Sequence, residues 1–229
     1  QSFIDSNQYK DNSIKEPSEY FLTHKNERNV YSFCMCPGGY VIPATSIKEH
    51  VVTNGMSNAK RDSAFANSAI LIQINKEEFN NDPLQGYDYL YKLEKQAYDE
   101  SKSYKALSQN IKDYINGDLN KLIFKSTYSL GTTLFDFNNL FTDKQNNILK
   151  QALKSFDDKI PGFIENGIMV GPETRSSSPV RLKRNLNIES INVSNLYPVG
   201  EGAGYGGGIM SCSLDGIRAA NSIIKKYSI

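Results

Sequence analysis

Near its C-terminus the 229-residue chain reads Leu196-Tyr-Pro-Val-Gly-Glu-Gly-Ala-Gly-Tyr-Gly-Gly-Gly-Ile-Met-Ser211. This pattern predicts a short apolar strand at Leu196–Val199, then a glycine turn, then a helix that begins at Ile209. The apolar residues expected on or near one face of that helix are Met210, Leu214, Ile217, Ala220 and Ile224. Glycines let a ligand approach the backbone, and the free N–H groups at a helix start favour an anion. Taken alone, the local pattern fits phosphate binding and a tightly packed turn equally well.

Three of the glycines, Gly202, Gly204 and Gly207, spell the G-x-G-x-x-G motif of dinucleotide-binding βαβ units. Such a unit also needs a following strand, with an acidic residue about 20 residues further on. The sequence ends at Ile229, directly after the expected helix. We therefore expect the motif to serve a different part of a nucleotide site, or none.

Upstream, β-branched and aromatic residues in alternating patterns predict a meander of strands. The predicted strands are Val30–Met35, Tyr40–Thr45, His50–Thr53, Ala69–Ile74 and Gly167–Val170. Pro37-Gly38-Gly39 and the pair Asn54-Gly55 are expected to form turns. Residues 1–29 are polar and predict a partly irregular leading segment.

Three further helices are expected between these strands. Asp82 can cap the first, and Gln85 would complete a capping box. A short helix is expected near residues 106–116. Thr142 and Gln145 form a second capping-box pattern. It is followed by an apolar stripe at helical spacing, made of Ile148, Leu149, Ala152, Leu153 and Phe156. Strands and helices together predict an α+β fold.

The composition excludes several classes of protein. The net charge is +1, so no strong field points to a nucleic acid or an anionic membrane. No apolar run reaches the roughly 18–20 residues that cross a bilayer. The odd, sparse set Cys34, Cys36 and Cys212 does not form a disulfide framework, which favours a reducing cytoplasm. It also lacks the second cysteine pair of a zinc site, so no metal is expected.

Three blocks of this sequence resemble a family of uncharacterised FAD-dependent dehydrogenases, also called NAD(FAD)-utilising dehydrogenases. One block is the glycine turn described above together with Asp215-Gly-Ile-Arg218. The second runs from Tyr31 to Gly39 and continues through residues 51–57, 61–62 and 66–68. The third is Glu173-Thr-Arg-Ser-Ser-Ser-Pro-Val-Arg181. The blocks follow one another in the family's order along the whole chain.

The resemblance implies where a flavin would bind. Glu201 would contact the ribityl chain of FAD, while Gly200, Gly202 and Ala203 line the flavin tail. The start of the final helix would face the pyrophosphate through Gly207, Gly208 and Ile209. Residues 1–165 would be an inserted substrate-side domain, with a mostly antiparallel sheet and helices. Residues 166–229 would supply the C-terminal strands and helix of a Rossmann-like FAD-binding domain.

The same resemblance implies that the N-terminal βαβ unit, which grips the ADP half of FAD, is missing from this sequence. Whether the chain binds FAD on its own is therefore left open. NAD(P)H is implied as an electron donor by the family's naming alone.

Two residues are weak candidates for a catalytic role. Arg175 lies among hydroxyl-bearing residues and could hold a phosphate, a substrate carboxylate or the flavin N1/O2 edge, or form an ordinary ion pair with Glu173. Cys36 could act with Cys34 as a redox pair, although buried cysteines more often serve as small apolar side chains. Neither histidine has a plausible catalytic triad around it.

The resemblance implies that the chain is part of a flavin-dependent oxidoreductase that transfers a hydride, through FAD, to or from an unidentified small molecule. A second hypothesis is a non-catalytic binding module of flavoprotein ancestry that does not hold FAD by itself. In either case the isolated chain should expose the apolar face that meets the missing half, which favours self-association.

Overall fold

The computed structural model describes residues 1–3, 19–80 and 82–228, so residues 4–18 of the leading segment lie outside the described residues. The described chain is α+β, as the sequence predicts, with small, mostly antiparallel sheets and four helices. The strands are β1 (Ser2–Phe3), β2 (Thr23–Lys25), β3 (Asn29–Cys36), β4 (Gly39–Pro43), β5 (Thr53–Ser57), β6 (Phe65–Ile72), β7 (Ala106–Asn110), β8 (Thr132–Leu134) and β9 (Ile168–Gly171). The helices are α1 (Pro83–Ser101), α2 (Ile111–Asn116), α3 (Asp143–Lys159) and α4 (Ile209–Tyr227).

The chain forms two compact units. The first comprises Gln1–Ile74 and Tyr91–Glu173, and the second comprises Asn75–Leu90 and Thr174–Ile229. The predicted boundary between residues 165 and 166 concerns the domains of a longer protein and stays a prediction.

In the described part of the first unit the strands form three sheets. The largest has the strand order β1-β6-β3-β2 and is antiparallel throughout. Strands β4 and β5 form an antiparallel pair, and β7 lies between a parallel neighbour, β8, and an antiparallel neighbour, β9. The strands β3, β4, β6 and β9 lie within a few residues of the predicted strands. The predicted meander is wrong, because β3 pairs with β2 and β6 while β4 pairs with β5 in a separate sheet.

Helix α3 is the element that local sequence predicted best. Thr142 and Gln145 form the expected capping box at its start. The five residues of the predicted stripe, from Ile148 to Phe156, are all buried. The other cap is also present, because the Asp82 carboxylate accepts a hydrogen bond from the N–H of Leu84 at 2.9 Å.

The predicted turn at Asn54-Gly55 is wrong, because both residues lie inside β5 and pair with β4. A Cβ on Gly55 would lie 2.0 Å from the side-chain oxygen of Asn67. Glycine therefore stands here to let a neighbouring strand approach, not to turn the chain. The preceding strand prediction is also displaced, since β5 begins at Thr53 and residues 50–52 lie outside it.

Two further predictions failed where neighbours, not local pattern, decide the conformation. A helix was expected near residues 106–116. Residues 106–110 instead form the fully buried strand β7, and within this range only α2 is helical. Leu196–Val199 is irregular instead of a strand. Its carbonyls are used elsewhere, since that of Leu196 accepts from the N–H of Ser190 and that of Pro198 from Arg184.

None of the helices in the described ranges has the length and apolar character that a bilayer crossing requires.

Candidate functional site

The glycine turn at residues 200–208 belongs to the second unit and leads directly into α4. Gly200 and Gly204 adopt left-handed backbone conformations, with φ of 74° and 81°. A Cβ on Gly204 would also lie 2.4 Å from the carbonyl oxygen of Val180. One on Gly206 would lie 2.5 Å from the sulfur of Cys212. Gly200 is therefore required by its backbone conformation, and Gly204 and Gly206 by the packing of the turn against its own unit.

A buried ion pair holds this turn against α4. Arg184 donates from its two terminal nitrogens to the two oxygens of Asp215, at 2.9 and 2.6 Å. The two side chains are only 10% and 4% exposed. The same carboxylate accepts from the N–H of Gly200 at 3.0 Å, and Arg184 also donates to the carbonyl of Pro198 at 2.8 Å. The guanidinium holds the pKa of the Asp215 carboxyl below its ordinary value.

An aromatic ring completes the support behind the turn. The Tyr205 ring centroid lies 3.5 Å from the guanidinium carbon of Arg184, and the Tyr205 hydroxyl donates to the carbonyl of Leu182 at 2.9 Å. Arg181 donates to the carbonyl of Gly204 at 2.9 Å. The rear of the turn is thus fixed by charge-assisted hydrogen bonds and a cation–π contact.

The front of the turn is open. A Cβ on Gly202, Gly207 or Gly208 would meet no atom within 4 Å. Gly208 caps α4 without a side-chain hydrogen bond, and the N–H groups of Ile209 and Met210 have no acceptor among the described residues. Ile209 is 87% exposed. The arrangement presents free backbone donors and the positive end of a 19-residue helix to an approaching anion.

Two other residues of the predicted flavin site differ in orientation. Glu201 is half-buried, its carboxyl has no partner in the described part of the chain, and burial raises its pKa. Such a carboxyl can exchange hydrogen bonds with hydroxyl groups of a ligand. Ala203 is 6% exposed, so its methyl group packs inward and only its backbone could reach a ligand.

Helix α4 turns its apolar side away from its own unit. The residues it buries, or half-buries, are small or polar and include Asp215, Ala219 and Ser222. The expected apolar face is instead exposed, at 72% for Met210 and 57% for Ile217. The polar and the apolar faces lie on opposite sides of the helix. Within the described ranges, no surface of the second unit covers this apolar face.

The two catalytic candidates belong to different units. Arg175 lies in the second unit, is half-buried and already takes part in an interaction. Cys36 lies in the first unit, where its thiol donates to the carbonyl of Cys34 at 3.2 Å. Burial raises the pKa of Cys36, so the thiol stays protonated at neutral pH. A protonated thiol is a poor nucleophile, which favours the packing role over the redox role.

Three residues that the structure makes prominent, Arg184, Asp215 and Glu173, received no site role from the sequence. Arg184 belongs to none of the quoted motifs, although it is the partner of Asp215. Glu173 was considered only as an ion-pair partner of Arg175, yet burial raises its pKa to about 7. Both effects depend on neighbours that are distant in sequence. The only local signal was the presence of Glu173 and Asp215 within the quoted motifs.

Comparison with known proteins gives two results. The family model described as FAD-dependent protein, C-terminal domain-like, matches residues 1–176. An uncharacterized protein from Clostridium beijerinckii is 40% identical over 242 residues, which cover 100% of this chain and 45% of the relative. The chain therefore spans about half the length of the curated relative that it matches, and the glycine turn lies within the matched half.

Proposed function

Because this chain belongs to the family of FAD-dependent proteins, C-terminal domain-like, we propose that it is the C-terminal part of an FAD-dependent oxidoreductase. The observation that carries the proposal is the open front of the glycine turn, where free N–H groups and bare glycines face solvent. A nucleotide cofactor with a diphosphate matches this surface in charge and in its need for close backbone approach.

The residues of the turn would divide the cofactor between them. Gly208 and Ile209 would donate backbone hydrogen bonds to the pyrophosphate, and Gly207, whose N–H already donates to the Ser211 hydroxyl at 3.2 Å, would line the same side of the turn. Gly200 and Gly202 would line the flavin tail, and Ala203 would join them through its backbone. The half-buried carboxyl of Glu201 would accept hydrogen bonds from the ribityl hydroxyls. The buried Arg184–Asp215 pair would keep these groups in place without touching the cofactor.

When bound, FAD supplies the acceptance or donation of a hydride. The chain would contribute binding, orientation and exclusion of water, with NAD(P)H as the electron donor and Arg175 and Cys36 as candidate walls of the active site. A cytoplasmic location follows from the sparse cysteines.

We further propose that the exposed face of α4 packs against the nucleotide-binding half of a longer protein. Two observations support this proposal. The apolar residues of α4 are exposed, and the relative from Clostridium beijerinckii is about twice as long as this chain. Without that half, a second copy of the chain is the expected occupant of the same face.

A second function is favoured by this exposed face. The chain would then be a non-catalytic interaction module of flavoprotein ancestry that does not hold FAD by itself. The two functions differ in whether the glycine turn binds a nucleotide.

The test is a visible absorption spectrum of the purified chain with and without added FAD, repeated on a polypeptide of the relative's length. A yellow protein with protein-bound flavin bands supports the oxidoreductase. A longer polypeptide that stays colourless with added FAD contradicts it and supports the interaction module.

Glycine variants make the test specific. Gly202→Ala and Gly207→Ala add a methyl group in front of the turn, where nothing in the fold obstructs it. Each should leave folding intact and weaken FAD binding about tenfold or more, equivalent to about 1.4 kcal/mol. Gly216→Ala adds an unobstructed methyl group within α4 and should leave FAD binding unchanged.

A further inference from the structure

Strand β5 contains an Asn-Gly pair, Asn54-Gly55, in which the asparagine side chain contacts the backbone of the next residue. The N–H of Gly55 donates to the side-chain oxygen of Asn54 at 2.7 Å. Asn54 is exposed and Gly55 is half-buried, so water reaches both residues. The pair belongs to the first unit.

The Gly55 nitrogen lies outside the hydrogen-bond ladder of its own strand pair. Gly55 lies opposite Val41 of β4. The N–H of Val41 donates to the Thr127 hydroxyl at 2.8 Å, and the N–H of Thr53 donates to the carbonyl of Pro172 at 2.9 Å. Alternate N–H groups of a strand point to the same edge, so that of Gly55, like that of Thr53, points away from β4. Strand β4 therefore leaves this nitrogen to the preceding side chain.

The packing of β5 also requires a small residue at position 55. A Cβ on Gly55 would lie 2.0 Å from the side-chain oxygen of Asn67. A larger residue would shield its own backbone nitrogen with its side chain, and glycine has none. Close packing therefore selects, directly after Asn54, the residue that hinders a reaction at this nitrogen least.

We propose that Asn54-Gly55 is a site of spontaneous modification, at which Asn54 is converted to aspartate and isoaspartate through a cyclic imide. Hydroxide removes the proton of the Gly55 N–H, and the nitrogen attacks the side-chain carbonyl carbon of Asn54. A bond forms between the Gly55 nitrogen and Cγ of Asn54, and the bond from Cγ to Nδ2 breaks. The departing nitrogen takes a proton from water, which restores the hydroxide, and leaves as ammonia. The hydrogen bond favours this step because it holds the two reacting groups side by side.

Water then opens the imide at one of its two carbonyl carbons. If the new bond to Cγ breaks, position 54 becomes an aspartate with the ordinary backbone. If the bond to the backbone carbonyl carbon of residue 54 breaks, the product is isoaspartate, in which the chain runs through the former side chain. Water is the reactant in both cases, ammonia is the leaving group, and nothing is oxidised or reduced.

The two products have different effects on β5. Aspartate adds a negative charge at an exposed position and leaves the backbone unchanged. Isoaspartate lengthens the backbone by one carbon atom, so the residues that follow it lose their register with β4. Met56 and Ser57, which lie opposite Tyr40 and Gly39, would separate from these partners. The reaction therefore limits the lifetime of the β4–β5 pair.

Two other Asn-Gly pairs in the sequence, Asn116-Gly117 and Asn166-Gly167, provide internal controls. The N–H of Gly117 donates to the carbonyl of Asp113 at 2.8 Å, which holds its nitrogen in the end of α2. Gly167 is buried, and a Cβ on it would lie 2.6 Å from a backbone carbonyl oxygen, so its backbone resists the movement that ring closure requires. The three pairs consist of the same two residues in different surroundings.

The test is to incubate the 229-residue chain in mildly alkaline buffer enriched in H₂¹⁸O, with and without urea. The chain is then digested, and the peptides of the three pairs are separated by chromatography and measured by mass spectrometry. In the folded chain, conversion at Asn54 should be about tenfold faster than at Asn116 or Asn166. The products should carry ¹⁸O, and the three rates should become similar in urea, where the geometry is lost.

Two outcomes overturn the proposal. One is an Asn54 that stays intact in the folded chain over the time in which the chain in urea converts. The other is a folded chain in which the three pairs convert at equal rates, because the geometry of β5 would then have no effect.

Two matched variants test the consequence for β4. Asn54→Ser removes the reacting amide and should abolish the products at this position. Asn116→Ser makes the same change at another exposed asparagine and should leave conversion at Asn54 unchanged. After incubation, hydrogen exchange at the β4 amides should be faster in the wild type and in Asn116→Ser than in Asn54→Ser. Unchanged exchange in a sample rich in isoaspartate would contradict the expected loss of pairing.

Discussion

In the first unit, Gly38, Gly39 and Gly55 lie where an added Cβ would come within 3 Å of backbone or side-chain atoms. In the second unit, Gly202 and Gly207 face open space. Both groups lie in the sequence blocks that resemble FAD-dependent dehydrogenases, and both look alike in the sequence. The difference teaches that glycines in such motifs have two separate roles, close packing of strands and access of a ligand to the backbone.

The glycine turn itself contains glycines of both kinds, those required by close packing and those that leave the backbone accessible. Gly204 and Gly206 pack against the unit, while the glycines at the front leave the helix start accessible. A rigid rear and an open front are the properties of a preorganised binding surface, because the donors need no rearrangement when the ligand arrives.

The largest effect is expected from breaking the rear support. Asp215→Ala leaves Arg184 buried without its partner and removes the acceptor of the Gly200 N–H. The free energy of unfolding of the second unit should fall by about 3 kcal/mol. Lys225→Ala, at an exposed position of the same helix, should change it by less than about 0.5 kcal/mol. Denaturant unfolding measures both, and equal values for the two variants would contradict the role given to the ion pair.

The next largest effect distinguishes the cost of a steric clash from the cost of backbone strain at two glycines of the first unit. Gly38 has φ of 52°, and its added Cβ would lie 1.8 Å from the carbonyl oxygen of Arg61. Gly38→Ala should cost about 2–3 kcal/mol, since strain and overpacking add. Gly117 has φ of 83° but open space around it, so Gly117→Ala should cost only about 1 kcal/mol. If the two variants lower the free energy of unfolding equally, close packing is not the reason that glycine is required at position 38.

The smallest effect on stability is expected at the exposed face of α4. The double substitution Leu214→Ser and Ile217→Ser removes exposed apolar surface and should change the free energy of unfolding by less than about 1 kcal/mol. It should, however, weaken self-association of the 229-residue chain, measured by sedimentation velocity over a range of concentrations. Asn221→Ser, on the same side of the helix, serves as the control. A wild-type chain that stays monomeric at all concentrations would refute the proposed contact.

Sequence alone predicted the elements whose formation depends on their own residues. The capping box and apolar stripe of α3, the helix starting at Ile209 and the β-forming run of β3 are such elements. It failed at Asn54-Gly55 and at residues 106–110, because the contact with Asn67 and the position of β7 between two strands are set by distant residues.

The candidate site divides in the same way. The glycines and Glu201 could be proposed from a motif, because a motif is local, and their role in binding stays a prediction. The roles of Arg184 and Glu173 could not be, because burial creates them. Arg184 meets its partner 31 residues later in the chain.

The most direct test of the glycine turn is to follow its backbone amide signals by ¹⁵N NMR while FAD is added to the 229-residue chain, or to the longer polypeptide if the chain alone does not bind. The account predicts the largest shifts at Gly207, Gly208 and Ile209, and little change at Gly204, whose surroundings are closed. Bound FAD that leaves the signals at the front of the turn unmoved would contradict it.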